Sequence, residues 1–272
     1  MDIYGIIGNP VEHSLSPPMH EAAYDEMGYD ARYCKFPVED GDVETAVKGA
    51  EALGIKGLNV TIPHKQAVAE LDAVENDPTA EKMAAVNTLD LEEMKGYNTD
   101  GVGAIRALEH HGVEVDGAEV VVVGAGGAAR AVCFALSERN SRIRIVNRTP
   151  EKARDLADEL GGSGSAEGYS LDALKDTVSD ADILINATSV GMEEDETPVP
   201  AEYLDSDLVV FDVVYSPLET RLLRDAKEVG AKTVDGAWML VFQGVEAFEI
   251  WTGKKPPVDV MNTAVRRRLK DD

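Results

Sequence analysis

Residues 121–130 read VVVGAGGAAR, an apolar run that ends in a glycine-rich turn. The turn fits the pattern G-x-G-x-x-A, with Gly124, Gly126 and Ala129 at the three defined positions. Gly124 permits a tight turn, Gly126 lets a pyrophosphate approach the backbone, and Ala129 lets the next helix pack closely on the strand. The strand before and the helix start after the turn argue against a merely tight loop and predict a dinucleotide site. The residues expected along the pyrophosphate are Gly124, Ala125, Gly126, Gly127 and Ala128.

The next strand, at residues 142–146, indicates which dinucleotide binds. An NAD site places Asp or Glu at the end of this strand to bond the ribose 2′-hydroxyl. No carboxylate stands here, and the positions are filled by Asn147, Arg148, Thr149 and Lys152. The Arg148 guanidinium can form paired hydrogen bonds to a 2′-phosphate, and Lys152 adds a second positive charge one helical turn later. The segment therefore predicts NADP, with a solvated surface cation at Arg148 as the alternative.

Strands and helices alternate along the whole chain, from an apolar strand near the N-terminus to two long helices near the C-terminus. Such alternation predicts parallel sheets with helices on both faces, which is the α/β class. We predict a Rossmann-type doubly wound NADP-binding domain at residues 101–235. We also predict an α/β substrate domain that combines residues 1–100 with residues 236–272, whose helices must cross back to it.

The charge of the chain is strongly acidic, with 51 Asp and Glu against 26 Lys and Arg and a formal net charge of −25. Such a surface repels nucleic acid and anionic membranes, so we expect neither as a partner. The acids are spread over predicted helix faces, as at residues 151–159, rather than gathered in a tail. This distribution favours a halophilic acidic surface whose self-repulsion is screened at high salt. An ordinary acidic protein is the alternative.

The cysteines and the apolar runs bear on the compartment. The only two cysteines, Cys34 and Cys133, have no metal-ligand spacing around them, which favours reduced, structural thiols and no metal. No run of about 18 apolar residues is present to cross a bilayer, and the N-terminus has no basic segment typical of a signal peptide. We expect a cytoplasmic protein with a small-molecule substrate, and leave a monomer and a homodimer open.

Polar residues are dense in the first half of the chain, beginning after the first strand. Ser14 and Ser16 precede a predicted helix at residues 17–27, and their hydroxyls beside the helix start form a natural carboxylate site. Ser16 is also a favourable helix N-cap, because Pro17 then takes the first helical position. On this segment alone, substrate binding and helix capping carry equal weight.

A second group of polar residues follows at the ends of predicted strands. Asn59 and Thr61 lie on one side of a strand because side chains alternate along it. Lys65 follows at the corner between that strand and a helix, the edge of an α/β sheet where active sites lie. Asn87 ends another short strand. Asp100 opens the next helix, where a simple N-cap role is the alternative.

These segments resemble the shikimate dehydrogenase family in their order and spacing, over nearly the whole chain. The matching segments are residues 14–17, 59–65, 85–88, 98–101, 124–130, 147–149, 186–192, 212–215 and 236–243. One departure is Glu21 after His20, where the family usually carries Asn. It lies just beyond the serine segment and puts little in doubt beyond local detail of the helix.

The resemblance implies a role for each of the polar positions. It implies a substrate carboxylate held by Ser14 and Ser16, and ring hydroxyls held by Asn59, Thr61, Asn87 and Gln243. It implies Lys65 and Asp100 as the catalytic pair, and Tyr215 in the lining of the substrate pocket. For the cofactor it implies 2′-phosphate contacts from Arg148, Thr149 and Lys152, nicotinamide packing on Met239, and further contacts from Asn147, Thr188, Val213 and Gly236.

The activity that the resemblance implies is that of an NADP-dependent oxidoreductase. The reaction would be the reversible reduction of 3-dehydroshikimate to shikimate, in chorismate and aromatic amino-acid biosynthesis. Two alternatives stay open: a quinate/shikimate dehydrogenase of the same family that uses NAD or either cofactor, and a shikimate-binding sensor without turnover. Residues 147–149 argue against NAD, and the presence of Lys65 and Asp100 argues against a sensor.

Overall fold

The computed structural model describes residues 1–161 and 165–271. The chain forms two compact units, Met1–Thr99 with Gln243–Asp272, and Asp100–Phe242. The predicted boundaries assign Asp100 and residues 236–242 to the first domain, whereas the structure has both in the second unit. The second boundary differs because one helix, Gly236–Thr252, continues through it without a break. The functions assigned to the two domains stay predictions.

The elements alternate along the chain as an α/β protein requires. The strands are β1 (Asp2–Gly8), β2 (Ala31–Pro37), β3 (Gly57–Val60), β4 (Glu75–Asn76), β5 (Thr88–Asp90), β6 (Lys95–Tyr97), β7 (Glu119–Val123), β8 (Arg142–Val146), β9 (Ala166–Tyr169), β10 (Ile183–Asn186), β11 (Val209–Asp212) and β12 (Lys232–Val234). The helices are α1 (Ser16–Met27), α2 (Val43–Ala52), α3 (Lys65–Ala69), α4 (Pro78–Met83), α5 (Asp100–His110), α6 (Gly127–Ser137), α7 (Pro150–Glu159), α8 (Leu174–Ser179), α9 (Arg221–Glu228), α10 (Gly236–Thr252) and α11 (Val258–Asp271).

The sheet of the first unit has the strand order β2-β1-β3-β5-β6-β4. Strands β1, β2 and β3 are parallel, but β5 runs antiparallel to both of its neighbours, β3 and β6. The expected parallel direction therefore holds for the other strands of this sheet, and β5 is the exception. The reason is the short connection at residues 91–94, because only antiparallel neighbours can be joined by so few residues.

The C-terminal part of α10 completes the core of the first unit. The Trp251 ring stacks on Tyr4 with 5.1 Å between centroids, and its Nε1 donates a 3.1 Å hydrogen bond to the Leu89 carbonyl. Any Cβ at position 57 would overlap the indole, so Gly57 is what lets the ring approach β3. The C-terminal helices of this unit are thus part of its core rather than an appendage.

The sheet of the second unit has the order β12-β11-β10-β7-β8-β9, and all its strands are parallel. This is the doubly wound order of a Rossmann fold, with β7 at the centre, so the predicted fold is confirmed. The last four residues of β7 are buried valines, as the apolar run predicts. The cofactor-binding end of such a sheet is the one where β7, β8 and β10 end.

Candidate active site

A buried polar network lies where β3 and β5 meet in the first unit. The Asn59 side chain is 4% exposed, and its Oδ1 accepts a 2.6 Å hydrogen bond from the Tyr33 hydroxyl. Its Nδ2 donates to Thr88 Oγ1 at 3.1 Å and to the Asn87 carbonyl at 3.2 Å. Both ends of the Asn59 amide are therefore held by the protein, which fixes its orientation.

The network continues from Asn87 to helix α10. Asn87 Oδ1 accepts a 2.9 Å hydrogen bond from the Thr99 backbone N–H, and Asn87 Nδ2 lies 3.1 Å from Thr99 Oγ1. Thr99 Oγ1 in turn donates to the Gln243 carbonyl at 3.1 Å. Three predicted substrate residues, Asn59, Asn87 and Gln243, are thus joined in one network. Thr99 connects it to the predicted catalytic residue Asp100, its neighbour along the chain.

The two predicted carboxylate-binding serines lie together at the start of α1. Ser16 is 4% exposed, and Ser14, which is half-buried, accepts a 3.3 Å hydrogen bond from the Ser16 N–H on its Oγ. The prediction that Ser16 caps the helix is wrong: α1 begins at Ser16, and Leu15 is the N-cap without a side-chain hydrogen bond. Because Ser16 already has helical geometry, its hydroxyl is not used as the cap.

The predicted catalytic lysine lies just beyond the end of β3. Thr61 follows this strand, and α3 begins at Lys65, which is half-buried. The Lys65 carbonyl accepts a 2.8 Å hydrogen bond from the Val86 N–H. Gly8 at the end of β1 has no room for a Cβ, because the Thr61 methyl group occupies that place. Close strand ends therefore hold Thr61 and the start of α3 in position.

Asp100 is the first residue of α5 and belongs to the second unit, whereas Lys65 belongs to the first. Asp100 is half-buried. Its proposed pairing with Lys65 stays a prediction. Its helix approaches α6 closely at Gly101, where a Cβ would overlap the Ala131 carbonyl oxygen.

The glycine-rich turn of the second unit has the geometry that a pyrophosphate needs. Gly124 has φ +119°, a left-handed conformation that favours glycine, and its N–H donates to the Val146 carbonyl at 2.8 Å. Gly126 is the N-cap of α6 and provides no side chain to bond the first N–H groups of the helix. Cβ atoms at Gly126 and Gly127 would meet nothing within 4 Å. Open space thus lies before a helix start, which fits a bound phosphate group.

Within the described residues, two positively charged side chains after the end of β8 lack the ion pairs that neighbouring arginines make. Arg148 and Lys152 are exposed, and neither has an ion-pair partner in the part of the chain that the structure describes. By contrast, Arg130 pairs with Glu159, and Arg142 and Arg144 both pair with Glu119. The Asn147 amide donates to the Thr149 carbonyl at 2.9 Å, which shapes the turn between the cations. In so acidic a chain, unpaired cations here fit a 2′-phosphate.

A buried carboxylate joins the loops that follow β10 and β11. Asp212 is fully buried and accepts hydrogen bonds from Asn186 Nδ2 at 2.9 Å, the Val214 N–H at 3.0 Å and Thr220 Oγ1 at 2.7 Å. Asn186 Oδ1 accepts in turn from the Thr188 N–H at 3.0 Å and the Thr188 hydroxyl at 2.7 Å. Burial raises the pKa of Asp212 to about 6, against the lowering effect of its hydrogen bonds. The loop at Thr188 is therefore held in place by Asn186, which is itself bonded to Asp212.

The remaining predicted cofactor residues lie near the start of α10. Gly236, the first residue of that helix, leaves no room for a Cβ because the Val213 carbonyl lies against it. Met239 is 9% exposed in the first turn of α10, and Tyr215, after β11, is 38% exposed. Val213 and Gly236 are thus brought into contact, while the roles of Tyr215 and Met239 stay predictions.

Four residues with structural roles at these sites are not predicted from the sequence: Tyr33, Thr88, Thr99 and Asp212. Thr88, Thr99 and Asp212 stand in segments that the sequence singles out, and Asp212 at the end of an apolar strand is a signal for a buried carboxylate. Tyr33 has only its inward position in β2 as a signal.

No metal site or membrane span is found in the part of the chain that the structure describes. Among residues 1–161 and 165–271, His, Cys, Asp and Glu form no group of three or more placed to hold a metal ion. Over the same residues, helices fall short of the length and apolar character needed to cross a bilayer.

Family models match most of the chain. Residues 6–89 match the shikimate dehydrogenase substrate binding domain, residues 106–195 match shikimate / quinate 5-dehydrogenase, and residues 236–266 match the shikimate 5'-dehydrogenase C-terminal domain. Among curated relatives, NADP(+) shikimate dehydrogenases from Haloarcula marismortui and Natronomonas pharaonis are 60% and 59% identical. Each alignment covers 99% of this chain and 100% of the relative.

Solved structures show the same similarity. A shikimate dehydrogenase in complex with NADP+ has a TM-score of 0.91 at 44% identity, covering 99% of this chain and 96% of that one. The Thermus thermophilus enzyme, in complex with NADP(H) and shikimate, has a TM-score of 0.88 at 38% identity and covers 98% and 100%. A quinate dehydrogenase from Corynebacterium glutamicum, in complex with NAD, has a TM-score of 0.89 at 34% identity and covers 98% and 99%.

Proposed function

The chain belongs to the shikimate dehydrogenase family, and we propose that it catalyses the reversible NADPH-dependent reduction of 3-dehydroshikimate to shikimate. The observation that carries the proposal is the buried network of Asn59, Asn87 and Thr99, with its amides and hydroxyls already oriented. The Asn59 side-chain oxygen has a second lone pair beyond the one that Tyr33 uses, and a hydroxyl of a polyhydroxy acid can donate to it, whereas an apolar substrate cannot.

The proposed substrate contacts follow the chemistry of the ligand. Ser14 and Ser16 bind the carboxylate, since both hydroxyls lie at the start of α1, where the helix dipole favours negative charge. Ring hydroxyls are bonded by a set of four residues: Asn59, Thr61, Asn87 and Gln243. A site built to bond hydroxyl groups rejects analogues that lack a hydroxyl by a factor of about 10⁴, because the hydrogen bonds to that hydroxyl are lost.

The cofactor contacts follow the open helix start and the unpaired cations. Residues 124–128 hold the pyrophosphate. The 2′-phosphate, which NADP carries and NAD lacks, is held by Arg148, Thr149 and Lys152. The loops that Asp212 joins complete the site with the following residues: Asn147, Thr188, Val213, Gly236 and Met239.

The chain's own catalytic work is proton transfer and orientation. Bound NADPH supplies the hydride that reduces the substrate carbonyl carbon. Lys65 donates a proton to the carbonyl oxygen as negative charge develops there, and accepts it in the reverse direction. Asp100 bonds the same oxygen and shares the proton with Lys65. Tyr215 lines the pocket and helps to exclude water.

Two alternatives predict different substrates or no turnover. The first alternative, a quinate/shikimate dehydrogenase, has support from the similar quinate dehydrogenase in complex with NAD. The cations at Arg148 and Lys152 nevertheless favour NADP. A sensor would bind shikimate without oxidising it, and would gain nothing from Lys65 and Asp100.

We further propose a cytoplasmic protein with a small-molecule substrate, and either a monomer or a homodimer.

An assay in molar KCl tests the proposal. The purified chain is given NADPH with 3-dehydroshikimate, and shikimate or quinate with NADP+ or NAD+, while absorbance at the nicotinamide band is followed. We expect turnover with 3-dehydroshikimate and with shikimate, and a clear preference for the phosphorylated cofactor. Faster oxidation of quinate with NAD+ would establish the first alternative. Shikimate binding by calorimetry without any turnover would establish the second.

A further inference from the structure

We propose that Tyr33 is a positioning residue of the substrate site, whose phenol holds the Asn59 amide in its binding orientation. This inference rests on the proposed function, because it concerns how one proposed substrate contact is held. Tyr33 lies in β2, is 5% exposed, and is not among the residues that the family resemblance implies for substrate or cofactor.

The direction of the Tyr33–Asn59 hydrogen bond follows from the partners of Asn59. The Asn87 carbonyl can only accept, so the Asn59 atom that faces it must be Nδ2. The other end of the amide, Oδ1, then faces Tyr33 at 2.6 Å and must receive the phenolic proton. Without that donor, the Asn59 carbonyl oxygen would lose its only protein partner recorded in the described residues. Tyr33 thus holds the Asn59 amide in this orientation and uses one of the two lone pairs of Oδ1, which leaves the other lone pair for a ring hydroxyl.

Burial raises the pKa of Tyr33 well above its usual range, so the phenol keeps its proton and can donate it to Asn59.

The Tyr33 ring is held by a stack of aromatic side chains. His20 lies parallel to it, with 4.6 Å between centroids and 6° between planes, and Phe248 stacks 6.3 Å from His20. His20 is fully buried, and burial lowers its pKa to about 3, so it is uncharged at neutral pH. Neither of its ring nitrogens has a hydrogen-bond partner in the described part of the chain. His20 acts here as an aromatic surface that fixes the Tyr33 ring.

Replacing Tyr33 by Phe removes the hydroxyl and keeps the ring on its stack. We expect Tyr33→Phe to raise the shikimate KM, and its Kd by calorimetry, about five- to tenfold, the effect of one lost hydrogen bond. The NADP+ KM should stay within about twofold, because the cofactor residues lie elsewhere in the chain. Tyr24→Phe is the matched control: Tyr24 is 1% exposed in the same aromatic cluster, and its hydroxyl has no hydrogen-bond partner among the described residues. We expect it to leave both constants unchanged.

A double-mutant cycle with Asn59→Ala separates positioning from general loosening of the unit. If Tyr33 acts mainly through Asn59, Tyr33→Phe should change shikimate Kd by less than about twofold once Asn59 is Ala. The proposal would be overturned if the two substitutions multiplied their separate effects on shikimate Kd in the double variant. It would also be overturned if Tyr33→Phe alone left Kd unchanged. A Tyr33→Phe chain that does not fold would also overturn it, by assigning the hydroxyl to stability. Absence of shikimate binding in the unsubstituted chain would instead refute the proposed function.

Discussion

Side chains of the first unit are paired with one another before any ligand is considered. Both ends of the Asn59 amide are hydrogen-bonded, and Asn87 is hydrogen-bonded to Thr99. Ser14 Oγ accepts a hydrogen bond from the Ser16 N–H. Groups held in this way lose little conformational entropy when a ligand binds, so more of each hydrogen bond contributes to affinity. The cost is paid during folding, when these polar groups are buried.

Lys65 is the residue on which the proposed chemistry depends most. Lys65→Ala should lower kcat about 100-fold or more and leave the shikimate KM nearly unchanged, because it removes a proton donor rather than a binding contact. Lys48→Ala is the control, since Lys48 is an exposed lysine of the same unit that pairs with Glu44. Steady-state kinetics in molar KCl measure both variants. Near-normal turnover of Lys65→Ala would exclude this residue from proton transfer.

Arg148 is the residue on which the proposed preference for NADP depends. Arg148→Ala should raise the NADP+ KM about 10- to 100-fold, the usual range for a charge-assisted hydrogen bond, and leave the NAD+ KM unchanged. Arg154→Ala serves as the comparison, because Arg154 is an exposed arginine on α7 that pairs with Glu151. Equal losses for the two cofactors would show that Arg148 does not bind the 2′-phosphate.

At the scale of elements, close backbone approaches determine where the functional residues lie. The contact of α5 with α6 at Gly101 is one example, and that of α10 with the Val213 carbonyl at Gly236 is another. Each contact holds the first turn of a helix that begins with a proposed site residue, Asp100 or Gly236. A change of backbone spacing there would move the site residue as well.

Gly101→Ala tests this dependence of a site residue on helix packing. A Cβ would overlap the Ala131 carbonyl, so the variant should lose about 1–3 kcal/mol of unfolding free energy and at least about tenfold in kcat. Gly49→Ala, on α2, is the control, because its Cβ would meet nothing within 4 Å. That change should stabilise the chain by about 0.5–1 kcal/mol through helix propensity. Denaturant unfolding and kinetics give both quantities, and equal stability of the two variants would contradict the packing argument.

The sequence predicts those elements whose residues alternate or cluster by polarity over several positions. Strand β7 and helix α6 are examples, since the apolar run and the glycine turn bound them on both sides. Strands β4, β6 and β9 are not predicted, because two to four residues carry too little periodic pattern. The antiparallel direction of β5 depends on pairing between segments, which no local pattern encodes.

Site residues are predictable where they stand at strand ends or carry unusual charge. Asn59, Lys65 and Arg148 are proposed in this way, and their roles stay predictions. The role of Tyr33 could not be predicted, because a tyrosine inside a strand is an ordinary core residue until β2, α1 and β3 are assembled. The N-cap role assigned to Ser16 is wrong because the helix begins one residue earlier than the residue propensities indicate.

At the scale of the whole molecule, the net charge of −25 is the dominant electrostatic feature. Most of the ion pairs in the described residues join exposed side chains, such as Lys48–Glu44 and Lys227–Glu219, and contribute little each. They cannot offset the repulsion among so many carboxylates at low ionic strength. The halophilic relatives of this chain fit a surface of this kind.

Salt should therefore stabilise the chain strongly. We expect Tm to rise by about 10 °C or more between low and molar KCl, because salt screens repulsion over distances beyond a few ångström. Thermal melts followed by circular dichroism measure the effect. Choline chloride at equal ionic strength is the control, since plain screening predicts the same rise with either cation. A Tm that does not change with salt would identify an ordinary acidic protein.

Helix α10 is shared by the two units, and the second unit, Asp100–Phe242, is inserted between the two segments of the first. During synthesis on the ribosome, the inserted unit is therefore complete before Gln243–Asp272 emerge. The N-terminal sheet, although made first, lacks until then the tryptophan that fills the space beside Gly57. The part of the chain translated earliest is thus the last to reach its native core, and a nascent chain that has emerged from the ribosome as far as residue 242 should contain a folded second unit and an unfinished first unit.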